Sequence, residues 1–60
     1  MIQLVAEKKV SEFLKVSLSA LRSWRLKKIG PPYYKIVGNV RYDLAEVEEW
    51  SKNQKTLGAQ

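Results

Sequence analysis

Cysteine and histidine are both missing from this 60-residue chain. Without thiols there is no disulfide and no thiolate zinc site. Without imidazole, a metal site would need carboxylates, which suit magnesium or calcium better than zinc. Neither residue is on hand as nucleophile or general base, and no carboxylate pair sits in an apolar context. The expectation is therefore a non-enzyme with no metal, cofactor or small-molecule ligand. Long apolar runs are lacking too: none approaches the roughly 20 residues that cross a bilayer. The opening MIQLVAEKK has no basic segment ahead of an apolar stretch, as a secretory signal would. A cytoplasmic location and no membrane partner are expected.

Negative charge is absent from a long stretch. Between Phe13 and Tyr42 there is no Asp or Glu, while Lys15, Arg22, Arg25, Lys27, Lys28, Lys35 and Arg41 are all basic. Asp43, Glu46, Glu48 and Glu49 follow at once and hold four of the six acids in a chain of formal charge +5. Surfaces without a charged partner usually intersperse the two signs. Segregation of this kind implies one positive face, whose commonest partner is a phosphate backbone.

What is present suffices for one small domain. Apolar residues make up 45% of the chain, enough for a thin core and too many for a disordered segment. Ala6, Val10, Phe13 and Leu14 recur at helical spacing, with Lys8, Lys9, Ser11 and Glu12 on the outer side. Leu4 and Val5 precede this helix and could pack back on the core. Ser17 is placed to cap a second helix. With Leu21 at the centre of the inward face, Leu18 and Trp24 fall within about 60° of it. Ser19, Arg22, Ser23 and Leu26 then form the opposite face. Gly30 and the prolines at 31 and 32 end the helix. Two short helices joined by three residues, with Val16 as an apolar plug, read as a helix-turn-helix or as a plain helical hairpin.

The segment YYKIVGNVRY is a hairpin signal. A three-residue loop, Val37–Gly38–Asn39, would pair Ile36 with Val40 and Tyr34 with Tyr42. That register gathers four apolar residues on one face and leaves Tyr33, Lys35 and Arg41 on the other, so it is preferred to a two-residue turn at Gly38–Asn39. Asp43 should cap a last helix, with Glu46 completing a capping box and Leu44, Val47 and Trp50 facing inward. Trp24, Trp50, Phe13, Tyr34 and Tyr42 are read as core. The domain is expected over residues 1–52 and a flexible tail over 53–60.

The order is α+β: helix, helix, β-hairpin, helix, a small winged helix-turn-helix. Here a resemblance enters. Residues of about 4–51 resemble the excisionase/AlpA group of MerR-like phage and mobile-element DNA-binding proteins. Its carriers are a Val-Ser turn opening a helix with an inward Trp, a Gly-Pro-Pro-Tyr link, and Val40-Arg41-Tyr42 running into Asp43-x-x-x-Val47-Glu48-x-Trp50. The resemblance implies that the second helix enters the major groove of double-stranded DNA and that the hairpin tip tracks the backbone or minor groove. It also implies an architectural role, bending attachment-site DNA to direct an integrase toward excision, with neighbouring copies bound alongside. A prophage or mobile-element regulator with no recombination role is the alternative, and a protein-binding adaptor a further one.

On this reading Ser17, Ser19, Arg22, Ser23, Arg25, Lys27 and Lys28 are the DNA-contacting residues of the recognition helix, and Lys35, Gly38, Asn39 and Arg41 those of the wing. Arg22 suits bidentate reading of guanine O6 and N7. Arg25, Lys27 and Lys28 suit phosphates. Two positions depart from the group: Lys28 stands where glycine is common, and Leu26 where a basic residue is common. Leu26 suits a thymine methyl, the wing or another protein.

Overall fold

A computed structural model describes residues 3–55, and the elements run β1 (Leu4–Val5), α1 (Glu7–Leu14), α2 (Leu18–Leu26), β2 (Tyr34–Ile36), β3 (Asn39–Asp43) and α3 (Leu44–Lys52). Three helices thus pack with a three-stranded antiparallel sheet of order β1-β3-β2 in a small α+β domain. Leu4 and Val5 do more than lean on the core. They pair with Asp43 and Tyr42, so β3 is the central strand and the element order begins with a strand. Of the expected tail, residues 56–60 lie outside the described ones.

The core is small. Val10, Leu21, Tyr42 and Val47 are fully buried, one each from α1, α2, β3 and α3, and Val5, Leu14, Trp24, Val40 and Leu44 pack around them. The Trp24 and Trp50 rings meet at 5.9 Å between centroids, a tilted aromatic contact. Each of α2 and α3 has the inward face its apolar spacing requires. Ser17 caps α2 by accepting from the Ala20 N–H at 3.0 Å, and Asp43 caps α3 by accepting from the Ala45 N–H at 3.0 Å. Glu46 makes no return bond in a capping box. Its carboxylate instead accepts from the Tyr34 hydroxyl at 3.4 Å.

α1 is rolled from its expected orientation. Ser11, expected outside, is buried, and Phe13, expected inside, is 46% exposed. The inward stripe is Glu7, Val10, Ser11 and Leu14, while Ala6 is the exposed cap residue. Ser11 is tolerated inside because its hydroxyl donates to the Lys8 carbonyl at 2.8 Å.

Both of the first two helices end on a left-handed lysine. Lys15 has φ 59° and Lys28 φ 60°. At Lys28 the Ile29 N–H reaches the Trp24 carbonyl (2.9 Å) and the Lys28 N–H that of Arg25 (3.2 Å), the Schellman pattern in which glycine is usual. Lys28 therefore makes the helix exit that glycine would make. Gly30, at φ +88°, then carries the chain back over the α2 flank.

The hairpin register differs from the expected one. Tyr34 pairs with Arg41, Lys35 with Val40 and Ile36 with Asn39, closing a two-residue turn at Val37–Gly38. Directly paired residues share a face, and a one-residue slip exchanges the faces. Lys35 thus lies on the Val40 side and Arg41 on the Tyr34 side, on opposite faces of the hairpin. Tyr33 is placed with Tyr42, their rings 6.1 Å apart. β3 is held at its other edge by β1 and anchored in the core through its own buried Tyr42, whereas Ile36 of β2 is 46% exposed. Apolar burial in β2 therefore exerts little pull on register, and turn geometry decides it: both turn residues have positive φ, the condition for the hairpin turn that matches strand twist.

That turn places a β-branched residue, Val37, at φ 49°, a sterically poor choice. Its side chain is 95% exposed and loses nothing on replacement. Val37→Asn should therefore stabilise the domain by about 1 kcal/mol, raising Tm by roughly 4–8 °C for a domain of this size. An unchanged or lower melting temperature would show that Val37 is unstrained at the tip.

Candidate nucleic-acid interface

The outer face of α2 is the one its sequence spacing requires. Ser19, Arg22 and Leu26 are exposed and Ser23 is half-buried, while Leu21 is buried and Leu18 and Trp24 are half-buried beneath them. Ser17 lies at the start of this face with its hydroxyl oxygen engaged in the cap. Lys27 and Lys28 are exposed at the C-terminal end, where cations are also favourable to the helix dipole. Leu26 is 84% exposed and Ile29 is 56% exposed beside it.

Arg22 and Arg25 are engaged by an acid that sequence reading did not single out. Glu7 of α1 accepts from Arg22 through Oε2, at 3.2 Å from Nε and 2.8 Å from Nη2. Its Oε1 accepts from Arg25 Nη1 at 3.3 Å. These are the ion pairs among the described residues. The hydrogen bond from Arg22 leads in holding the Glu7 carboxyl below its ordinary pKa, against a desolvation effect that raises it. Arg22 is raised in turn, chiefly by its bond to Glu7, so both partners stay ionised at neutral pH.

Arg25 has a different setting from Arg22. Its side chain is 22% exposed against 54% for Arg22. Nη1 also donates to the Tyr42 hydroxyl at 3.4 Å, and the guanidinium lies 5.8 Å above the Tyr33 ring. The Tyr42 contact is the largest cause of its raised pKa. Arg25 is thus tied to the core, and Tyr33, read from sequence as an outer-face residue, covers it.

On the hairpin, Lys35, Gly38 and Asn39 are exposed and Arg41 is half-buried, with Nη1 donating to the Val40 carbonyl at 2.8 Å. Because Lys35 and Arg41 occupy opposite faces, they do not form the two-charge strip expected of the wing. Gly38 is open, with nothing within 4 Å of where a Cβ would stand. Tyr34 has its hydroxyl pKa raised, first by desolvation and then by the Glu46 charge.

No group of three or more His, Cys, Asp or Glu is placed to hold a metal ion among the described residues, and no helix among them is long and apolar enough to cross a membrane. The signal for Glu7 was available in the spacing: it lies at i, i+3, i+4 and i+7 with Val10, Ser11 and Leu14. A carboxylate there faces the next helix, where Arg22 and Arg25 stand three residues apart. Comparison of the chain with protein-family models, curated proteins and solved structures found no match.

Proposed function

We propose that this chain is a sequence-specific double-stranded DNA-binding protein of the winged helix-turn-helix kind, with α2 as the helix that meets the major groove. The observation that carries the reading is the outer face of α2: exposed Ser19 and Arg22 with half-buried Ser23 on one side, and exposed Lys27 and Lys28 continuing it past the helix end. Short hydroxyls and a half-exposed guanidinium near a helix start are the groups that reach base edges, and lysines beside them suit phosphates. Formal charge +5 favours association with a polyanion. The sequence resemblance extends this to an excisionase that bends attachment-site DNA for an integrase, acting without catalytic groups of its own. A single module of this size buries roughly 600–1,000 Å² of interface, so neighbouring copies on DNA would supply occupancy.

A salt series of gel shifts tests the reading. Log affinity for random duplex should fall linearly with log salt, at about −0.9 per neutralised phosphate. Arg22→Ala should reduce preference for a selected site by roughly tenfold, one bidentate contact's worth. Lys27→Ala should weaken all duplexes alike and lower the salt slope by about one contact. Absence of duplex binding would remove the proposal. An excision assay with the cognate integrase separates the excisionase from a promoter regulator, for which excision would be unchanged while promoter activity shifts.

The exposed pair Leu26 and Ile29 favours a second reading, a protein-binding adaptor that uses the exit of α2. For an adaptor, Leu26→Lys would abolish partner binding. For the DNA-binding protein, the same change adds a cation beside the phosphates and should strengthen duplex binding.

A further inference from the structure

We propose that Glu7 is a positioning residue for Arg22: it fixes the guanidinium so that its end edge, and no other, is presented to guanine. The inference rests on the reading of α2 as the groove-contacting helix. A guanidinium has five N–H donors. Glu7 Oε2 takes the Nε donor and one on Nη2, at 3.2 and 2.8 Å. What remains is the parallel pair formed by the second Nη2 hydrogen and one on Nη1, with the last Nη1 hydrogen beside it. That pair is the fork that matches guanine O6 and N7.

Glu7 is itself held. Its other oxygen accepts from Arg25, which reaches the hydroxyl of Tyr42, a residue only 1% exposed. The chain of contacts therefore runs from the core through Arg25 and Glu7 to Arg22. Arg22 is long and 54% exposed, so without this chain its guanidinium would sample many orientations. A contact made from a fixed side chain discriminates better than one made from a mobile side chain of equal charge. The arrangement also predicts its own cost to general affinity, since a carboxylate stands near the DNA phosphates.

The test uses a duplex selected by the wild-type protein from a randomised pool, compared with random duplex, and variants of that duplex with 7-deazaguanine at each guanine. The wild type should lose about tenfold at one such guanine, where the N7 acceptor is removed. Glu7→Gln should lose about tenfold in preference for the selected site, show less than a twofold 7-deazaguanine effect, and bind random duplex at least as tightly as before. Glu7→Asp keeps the charge but draws the carboxylate back by one methylene, and should lose discrimination as Gln does. In an Arg22→Ala background, Glu7→Gln should cause no further loss of preference. Thermal melts establish that each variant is folded. If Glu7→Asp retains full discrimination where Glu7→Gln loses it, the charge alone matters and the positioning role is overturned. It is also overturned if Glu7→Gln raises affinity for all duplexes equally with preference intact, because Glu7 is then a general brake. Wild-type protein that binds no duplex at all sinks the DNA reading itself, a result distinct from either of these.

Discussion

Gly30→Ala should destabilise the domain by about 2–4 kcal/mol, the sum of a left-handed conformational cost and a steric one. Gly30 sits at φ +88°, and a Cβ there would lie 3.0 Å from Trp24 Cβ and 3.3 Å from Trp24 Cε3. Trp24 Cβ is fixed by the α2 backbone, and its ring is packed on Trp50, so neither atom yields freely. A 60-residue domain has roughly 3–9 kcal/mol of stability in total, so the variant should be close to unfolding at room temperature. Gly38→Ala is the matched control. Gly38 has φ +84° but open space around it, so only the conformational part, about 1–2 kcal/mol, should be seen. Urea midpoints of the two variants measure the difference. Equal losses at both glycines would mean that Trp24 moves aside and the close approach carries no energy.

Tyr42→Ala should be at least as damaging, at about 3–5 kcal/mol for removal of a buried ring. Tyr42 is the largest fully buried side chain and lies on the strand that both β1 and β2 pair with. Loss of its ring leaves a cavity against Val10, Leu21 and Val47 and removes the support of Tyr33. Tyr42→Phe deletes only an oxygen at 3.4 Å from Arg25 Nη1, and Arg25 retains Glu7 as a partner. A loss of under about 1 kcal/mol is expected there. Circular dichroism melts of the two variants decide between packing and polar anchoring. A phenylalanine variant as unstable as the alanine one would assign the stability to the hydroxyl.

The parts of the fold that could be read from sequence are those where period and burial agree. In α2, Leu18, Leu21 and Trp24 lie on one side of a helix that begins at a serine cap and ends before two prolines. In α3, Leu44, Val47 and Trp50 do the same after an aspartate cap. α1 departs in roll from its apolar spacing because two polar residues, Glu7 and Ser11, face inward. Ser11 is satisfied within its own helix, but Glu7 finds its partners 15 and 18 residues further on. Helical spacing puts Glu7 on the face of Val10 and Leu14, but no local pattern names those distant partners. β1 spans two residues, too short to carry a period of its own. The hairpin register differs because pairing Ile36 with Val40 and Tyr34 with Tyr42 presumes an apolar face on β2 that burial would fix, whereas Ile36 is exposed and the turn at Val37–Gly38 decides.

The candidate site divides in the same way. Exposure of Ser19, Arg22 and Leu26 followed from helical geometry alone. The acid-free stretch between residues 13 and 42 suggested an undisturbed positive face, but that is a property of the chain in one dimension. Folding brings Glu7 into the middle of it, beside the two arginines that α2 contributes.

The pairing of β1 with β3 bears on the order in which the molecule comes together. During synthesis Leu4 and Val5 emerge early, yet the backbone groups they must meet belong to Asp43 and Tyr42, near the far end of the domain. The two helices between them can form sooner, since their contacts are close along the chain. The sheet cannot close until the ribosome has delivered its middle strand, which arrives after the segments on either side of it in space. Closure of the sheet should therefore be a late event in folding, shared with the docking of α3 that follows β3 in the chain, and chains truncated before residue 42 should contain helix without a closed domain.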